Sequence, residues 1–347
     1  MSKEGSFFEF DLHHRKEQLS KFGDPLEKLS KIVDFEVFRP TASKILKRDK
    51  ILEGRPSFDI ILMIKILILG SLYNLSDEQM EYQIKDRLSF MRFLNLTLQC
   101  RIPDAKTICL YREKFRKENI INEIFDDFNK LLEVMGYVAK SGQIMDATII
   151  ECPKQRNTSN ENEMIKANRI PDEWLNHPSK MAQKDCEARW FVKFKKKKKA
   201  SNDVDLASLY FGYKNHIGID RRYKFIRKFC VTPANVYDGD YCADLLSQNN
   251  DSRDVYGDKH YGSEKNFNLV KTLGFEAKMH STKKKSPNTY ASVRARVEHV
   301  FAYQKNSMKL KIIRTIGLAR ATAKIALANL TYNMQRLVTL KSRHLAV

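Results

Sequence analysis

The chain has 347 residues, 42% hydrophobic and 30% charged, which suits a soluble globular protein large enough for two domains with a sizeable core. Its longest apolar run, Ile60–Leu69, is interrupted by Lys65 and falls well short of the ~20 residues that a bilayer span needs, so no membrane partner is expected. Lys and Arg number 62 against 42 Asp and Glu, a net charge of +20 that favours a polyanion, because each neutralised phosphate releases condensed counterions.

The first 136 residues read as all-helical. Pro25–Val33, Phe58–Tyr73 and Glu118–Met135 carry apolar residues at helical spacing. Ser76 with Gln79 forms a capping box at the start of Ser76–Arg87. Pro103-Asp104 opens a further helix in which Ile108, Tyr111 and Phe115 share a face. Its segment Lys106–Lys117 has a basic side; it is either a DNA-reading helix or a core helix with a solvated face, and the second is preferred. Gly136 and Gly142 then mark a change of texture.

From Gln143 strands and helices alternate. Gln143–Ile150 is a compact apolar strand, and Tyr213–Asp220 and Phe225–Thr232 form a hairpin around Arg221-Arg222-Tyr223. A short helix, Gly239–Ser247, and a strand, Arg253–Gly257, follow. Ser263 caps a helix that runs to Leu273 and stops at Gly274. Phe275–His280 is a fifth strand, and Thr289–Lys309 and Ala319–Leu340 are helices. Three strands, helix, strand, helix, strand, helix is the order of a ribonuclease-H-like α/β fold, with a mixed sheet and helices on both faces. The expected division is a helical domain, 1–136, and a catalytic domain, 137–347.

Between the first two strands lies a polar stretch, 153–206, expected to be a loop or insertion. It holds Lys195, Lys196, Lys197, Lys198 and Lys199 in a row. The run is either a solvated charge cluster or a phosphate-gripping segment, with the second slightly favoured. The nearby aromatics Trp174, Trp190, Phe191 and Phe194 either stack on bases or anchor the segment. The six cysteines include no CxxC pair, which argues against a zinc knuckle and for reduced thiols. No signal peptide is read, and a cytoplasmic location is expected.

Three carboxylates stand out. Asp146 lies in the middle of an apolar strand, where an unpaired charge is costly and needs a cation or a strong hydrogen-bond partner. Asp258 ends a strand, at the carboxyl edge where open α/β sheets gather their sites. Glu298 lies within Thr289–Lys309, where Tyr290, Arg294, Glu298 and Lys305 fall within an arc of roughly 80° beside the apolar stripe Val293, Val297 and Val300. Alone, each has an ordinary explanation: a satisfied structural Asp, a turn Asp, and an exposed Arg294–Glu298 pair. Together they suit phosphodiester chemistry, in which two Mg²⁺ ions about 4 Å apart act on attacking and leaving oxygens. Mg²⁺ takes hard oxygen ligands, so the cysteines and histidines need take no part.

The segments MDATII, VTPANVYDGD, VYGDKHYGS and VRARVEHVFAYQK resemble the bacterial insertion-sequence DDE transposases, most closely the group named after insertion sequence five. The helical segment from GRPSFDIILMIK to IPDAKTI is similar to that group's N-terminal domain, so the resemblance runs from about Ile51 to Leu337. It implies a ribonuclease-H-like core with Asp146, Asp258 and Glu298 as catalytic metal ligands for two Mg²⁺ ions, with Mn²⁺ as a substitute. It also implies that Arg294 and Lys305 serve the DNA near the cleaved end. The related signature is Tyr, two residues, Arg, three residues, Glu, six residues, Lys. Arg294, Glu298 and Lys305 match it, while Tyr290 departs by one residue and either precedes the helix or only packs. The expected DNA-contacting set is Arg294, Lys305, Tyr290, Lys259 and the run Lys195 to Lys199. Asp238 is either a residue that supports the metal ligands or the DNA side, or a turn Asp before Gly239.

The function expected is a transposase that cleaves double-stranded DNA at its element's terminal inverted repeats and joins the 3′-hydroxyl ends to target DNA, assembling as a homo-oligomer. The competing expectations are a DNA-binding regulator without catalysis and a stand-alone nuclease. Metal-dependent nicking and strand-transfer products separate the three.

Overall fold

The structure is a computed structural model that describes residues 3–48, 56–194, 207–281 and 290–344. The chain divides into two units, Met1–Phe128 with Leu327–Val347, and Asn129–Ala326. Beside the expected division at 136/137, the first break falls at Phe128/Asn129, and Leu327–Val347 group with the first unit. The helix Leu318–His344 belongs to the second unit up to Ala326 and to the first beyond it, and it buries Leu327, Leu330, Met334 and Leu337.

The first unit is helical, and local signals set its helix ends. Ser76 and Gln79 cap Asp77–Asp86 reciprocally, side chain to backbone in both directions. Asp104 accepts from the Thr107 N–H at 2.7 Å to start Ala105–Lys117, which buries Ile108, Tyr111 and Phe115. On that helix Arg112 grips both oxygens of Asp77 at 2.6 Å, and Arg116 pairs with Glu113. Its basic side is therefore partly occupied within the unit, which favours a core helix over a reading helix.

The helix Ile60–Tyr73 is buried nearly all round. Lys65 is accommodated there because its Nζ donates to the Phe93 carbonyl and sits over the Phe35 and Phe93 rings. Among the described residues no single helix is long and apolar enough to cross a membrane.

The second unit is built on a six-stranded mixed sheet: β1 (Gln143–Glu151), β2 (Arg189–Phe194), β3 (Ala207–Asp220), β4 (Ile226–Pro233), β5 (Asp254–Gly257) and β6 (Glu276–Met279). The order is β2-β3-β1-β5-β6, with β4 also on β3. β1 is antiparallel to β3 and parallel to β5, and β6 is parallel to β5 across the helix Glu264–Thr272. The β3–β4 turn is closed by the buried Asp220, whose carboxylate accepts from the Tyr223 and Phe225 N–H groups and from Arg227 Nε. One core gathers Met145, Leu245, Val255, Tyr261, Val270 and Met279. The helix Ala291–Ala302 packs on β1 and β5 and buries Val297 and Val300.

The described part of the expected loop or insertion, 153–194, holds regular structure. It forms the helices Ser159–Lys166, Asp172–Leu175 and Pro178–Met181, and then β2. The buried Trp174 supplies the core that its polar composition conceals, its Nε1 donating to Glu161, the capping-box partner of Thr158. β2 pairs with the first half of β3, from Arg189↔Gly212 to Phe194↔Ala207, so β3 is longer than the expected Tyr213–Asp220. Lys195 to Lys199 lie outside the described residues.

Candidate active site

The β1–β5 ladder is short. It pairs Gln143 with Val255 and Ile144 with Tyr256, and there it stops. Two residues further along each strand stand Asp146 and Asp258. β1 continues on β3 as far as Glu151↔Gly212, while β5 ends at Gly257 and turns. The end of the ladder opens a crevice at the carboxyl end of β5, the place where open α/β sheets bind ligands. Both carboxylates line one cavity of about 710 Å³, together with Asp238, Lys214, Lys305 and the rings of Phe191 and Tyr210.

Burial pushes the Asp146 carboxyl up to about 7, and the negative charges of Asp258 and Asp238 add to this. The Ala147 N–H, which donates to Asp146 Oδ1 at 2.8 Å, and the positive Arg294 oppose it. Asp258 Oδ1 accepts from the His260 N–H at 2.8 Å, which fixes its turn. Gly262 completes that turn against β6: a Cβ there would lie 1.8 Å from the His280 carbonyl oxygen.

Arg294 is half-buried, its charge reaches Asp146, and its Nε is buried without a hydrogen-bond partner. Lys305 reaches the cavity from a π-helical turn, Tyr303–Ser307, that continues Ala291–Ala302 in place of the expected α-helix. Such turns often mark functional positions. Burial holds its ammonium below the usual lysine range.

Other predicted residues are not brought into the cavity. Glu298 is exposed and does not line it. Lys259 is likewise exposed and outside the lining. Tyr290 is the residue just before the helix, packed edge-on against Tyr256 at 5.7 Å and near His280 at 5.6 Å. Its extra residue of spacing thus corresponds to a packing position outside the helix.

Sequence reasoning missed three buried polar groups here. Lys214 Nζ donates to Asp238 Oδ1 and to the Val236 carbonyl, both at 2.7 Å. His216 shares a hydrogen bond with Thr232 and stacks on Tyr241. The Tyr261 hydroxyl is buried without a hydrogen-bond partner. The available signal was Lys214 and His216 two residues apart in a strand with apolar neighbours, which places both on one face.

Among the described residues, no three His, Cys, Asp or Glu side chains stand close enough to hold one metal ion. Mg²⁺ does not require three: one or two carboxylates suffice, with waters and substrate oxygens completing the shell. The half-buried Asp146 beside Asp258 offers hard oxygens where a cation would relieve a costly charge, so the donor set fits a divalent ion.

No solved structure matches the chain. Residues 13–114 match the family described as Transposase domain (DUF772), and residues 138–334 match the family described as Transposase DDE domain. The second match covers more than half of the chain and spans every residue of the cavity, and the chain therefore belongs to the DDE-domain transposases.

Proposed function

We propose that the protein cleaves DNA at the ends of its own mobile element and joins the 3′-hydroxyl ends to target DNA, with Asp146, Asp258 and Glu298 as the catalytic carboxylates of a ribonuclease-H-like core. The observation that carries this is the pairing of Asp146 and Asp258 beyond the β1–β5 ladder, in one cavity that Lys193, Lys214, Lys305 and Lys311 also line. Glu298 follows Arg294 by four residues, one helical turn on the same face, and the charge of Arg294 reaches Asp146. That supports Glu298 as the third carboxylate, standing at the exposed margin of the face that serves the site.

Two divalent ions, when bound, supply activation of the attacking oxygen and stabilisation of the leaving one. Asp146 and Asp258 would hold them. Lys305 and the exposed Lys193 and Lys311, all at the cavity, would position the phosphodiester by its negative oxygens. Arg294, half-buried beside Asp146, offsets the carboxylate charge. Double-stranded DNA is the substrate, and the kinship with the insertion-sequence-five group and a synaptic homo-oligomer belong to the same reading.

The test is nicking of a duplex that carries the element's end, with and without Mg²⁺, using Asp146→Ala as control. Metal-dependent 3′-hydroxyl ends and strand-transfer products are expected from the intact protein and none from the variant. Tight binding without any metal-dependent product would instead identify a regulator, and hydrolysis without joining a nuclease.

A further inference from the structure

Asp238 stands in the connection between β4 and the short helix Cys242–Leu245, where the sequence leaves a turn carboxylate and a supporting one equally open. Its surroundings are not those of a turn. It lines the same cavity as Asp146 and Asp258. The cation that holds it, Lys214, is only 5% exposed, in the middle of β3. Burying an ammonium is costly, and a surface turn needs none.

Lys214 fixes the connection at two points, through Asp238 Oδ1 and the Val236 carbonyl, while its Nζ lies 4.7 Å from the centre of the Phe191 ring. Among the described residues no donor engages Asp238 Oδ2. One oxygen is fixed and the other carries no hydrogen bond among the described residues.

Two further polar groups near Asp238 are left without a hydrogen-bond partner. His216 Nδ1 is fully buried, has no hydrogen-bond partner and lies 4.0 Å from Asp238 Oδ1. The Tyr261 hydroxyl is also fully buried and unpartnered, and the charges of Asp238, Asp146 and Asp258 all reach it. Buried polar groups left unsatisfied next to the cavity's carboxylates, though behind its lining, mark a place where something polar binds.

We infer that Asp238 is a positioning carboxylate of the cation site, held in place by Lys214, so that its free oxygen orients the ligands of an ion bound at Asp146 and Asp258. This rests on the proposed metal chemistry of the cavity. Carboxylates that act on a metal through its ligands typically change its affinity by about 10–100-fold when removed.

The test is Mn²⁺ binding to the full-length chain without DNA, followed by the electron paramagnetic resonance signal of the free ion. Asp146→Asn is expected to abolish the tight binding, and Asp238→Asn to weaken it about tenfold or more. Asp238→Asn leaves Lys214 buried and unpaired and so endangers the fold. The double variant Asp238→Asn with Lys214→Met removes both charges. If the pair were only structural, the double variant would bind Mn²⁺ like the unaltered chain; the inference requires that the loss persist. Wild-type affinity in a folded Asp238→Asn or in the double variant overturns it. Unchanged binding by Asp146→Asn is a different outcome, and would overturn the metal site itself.

Discussion

His216 Nε2 and Thr232 Oγ1 lie 2.8 Å apart in a hydrogen bond that joins β3 to β4 out of reach of solvent. Burial holds His216 down to about 4, with the neighbouring Lys214 acting in the same sense and Asp238 against it. A histidine whose folded value lies below its unfolded one contributes stability above about pH 6.5, and that stability is lost as the pH falls toward 4. At full extent the separation is worth ~3 kcal/mol. Urea unfolding at several pH values should therefore show stability falling between about pH 6.5 and 4, with His216→Gln losing much of that slope. An identical slope in the variant would show that other groups carry the acid sensitivity.

Gly262→Ala is expected to destabilise the chain by ~1–3 kcal/mol, the usual range for overpacking. The obstruction is backbone, since the new Cβ would meet the carbonyl group of His280, so no side chain can swing away. The turn that carries Asp258 must shift, and nicking should fall more steeply than folded fraction. Thermal unfolding and nicking of the same preparation check both.

Trp174→Ala removes the largest buried side chain of the 153–206 segment and the donor to Glu161. Substitutions of this kind cost ~3–5 kcal/mol when the cost is borne by the whole fold. Hydrogen exchange should show protection lost over Ser159–Lys166 and retained in β1 and β5. Loss throughout the sheet would mean that the insertion and the sheet unfold together.

Lys305→Gln should weaken DNA binding and reduce the slope of log affinity against log salt by about 1, as expected for one lost phosphate contact. Changing Lys195 to Lys199 together to Gln should weaken binding at all sequences alike and flatten the slope further. Fluorescence anisotropy on end-containing and unrelated duplexes reads both. A salt slope unchanged by the five-residue variant would leave that run without a phosphate-binding role.

Local chemistry is why much of this was legible in advance. The Ser76–Gln79 box, the Asp104 and Ser263 caps and the Arg221–Tyr223 turn depend on neighbours within a few residues, and all occur as read. The place of Asp258 at the end of a strand was visible because the apolar run stops beside it. β2 was not, since RWFVKF leads into a lysine run and its pairing partner lies beyond that run. Trp174 gave no periodic signal because its small core is assembled from short turns. Lys214 and His216 looked like polar interruptions of a strand, and only the position of Asp238 shows what Lys214 holds. The orientation of Glu298 depends on how its helix is seated, and the widened turn before Lys305 alters a register that straight-helix counting assumes constant.

β3 changes partners at Gly212. That residue is the last to pair with β2 and the last partner of β1, and Tyr213 is the first to pair with β4. A Cβ at Gly212 would lie 2.2 Å from the Ile150 carbonyl oxygen, so β1 and β3 approach there as only glycine allows. The spacing between the insertion and the cavity is therefore set at one residue. Chain added to or taken from the β2–β3 connection leaves that spacing alone, so the number of residues between the two strands can vary while the acidic crevice keeps its shape.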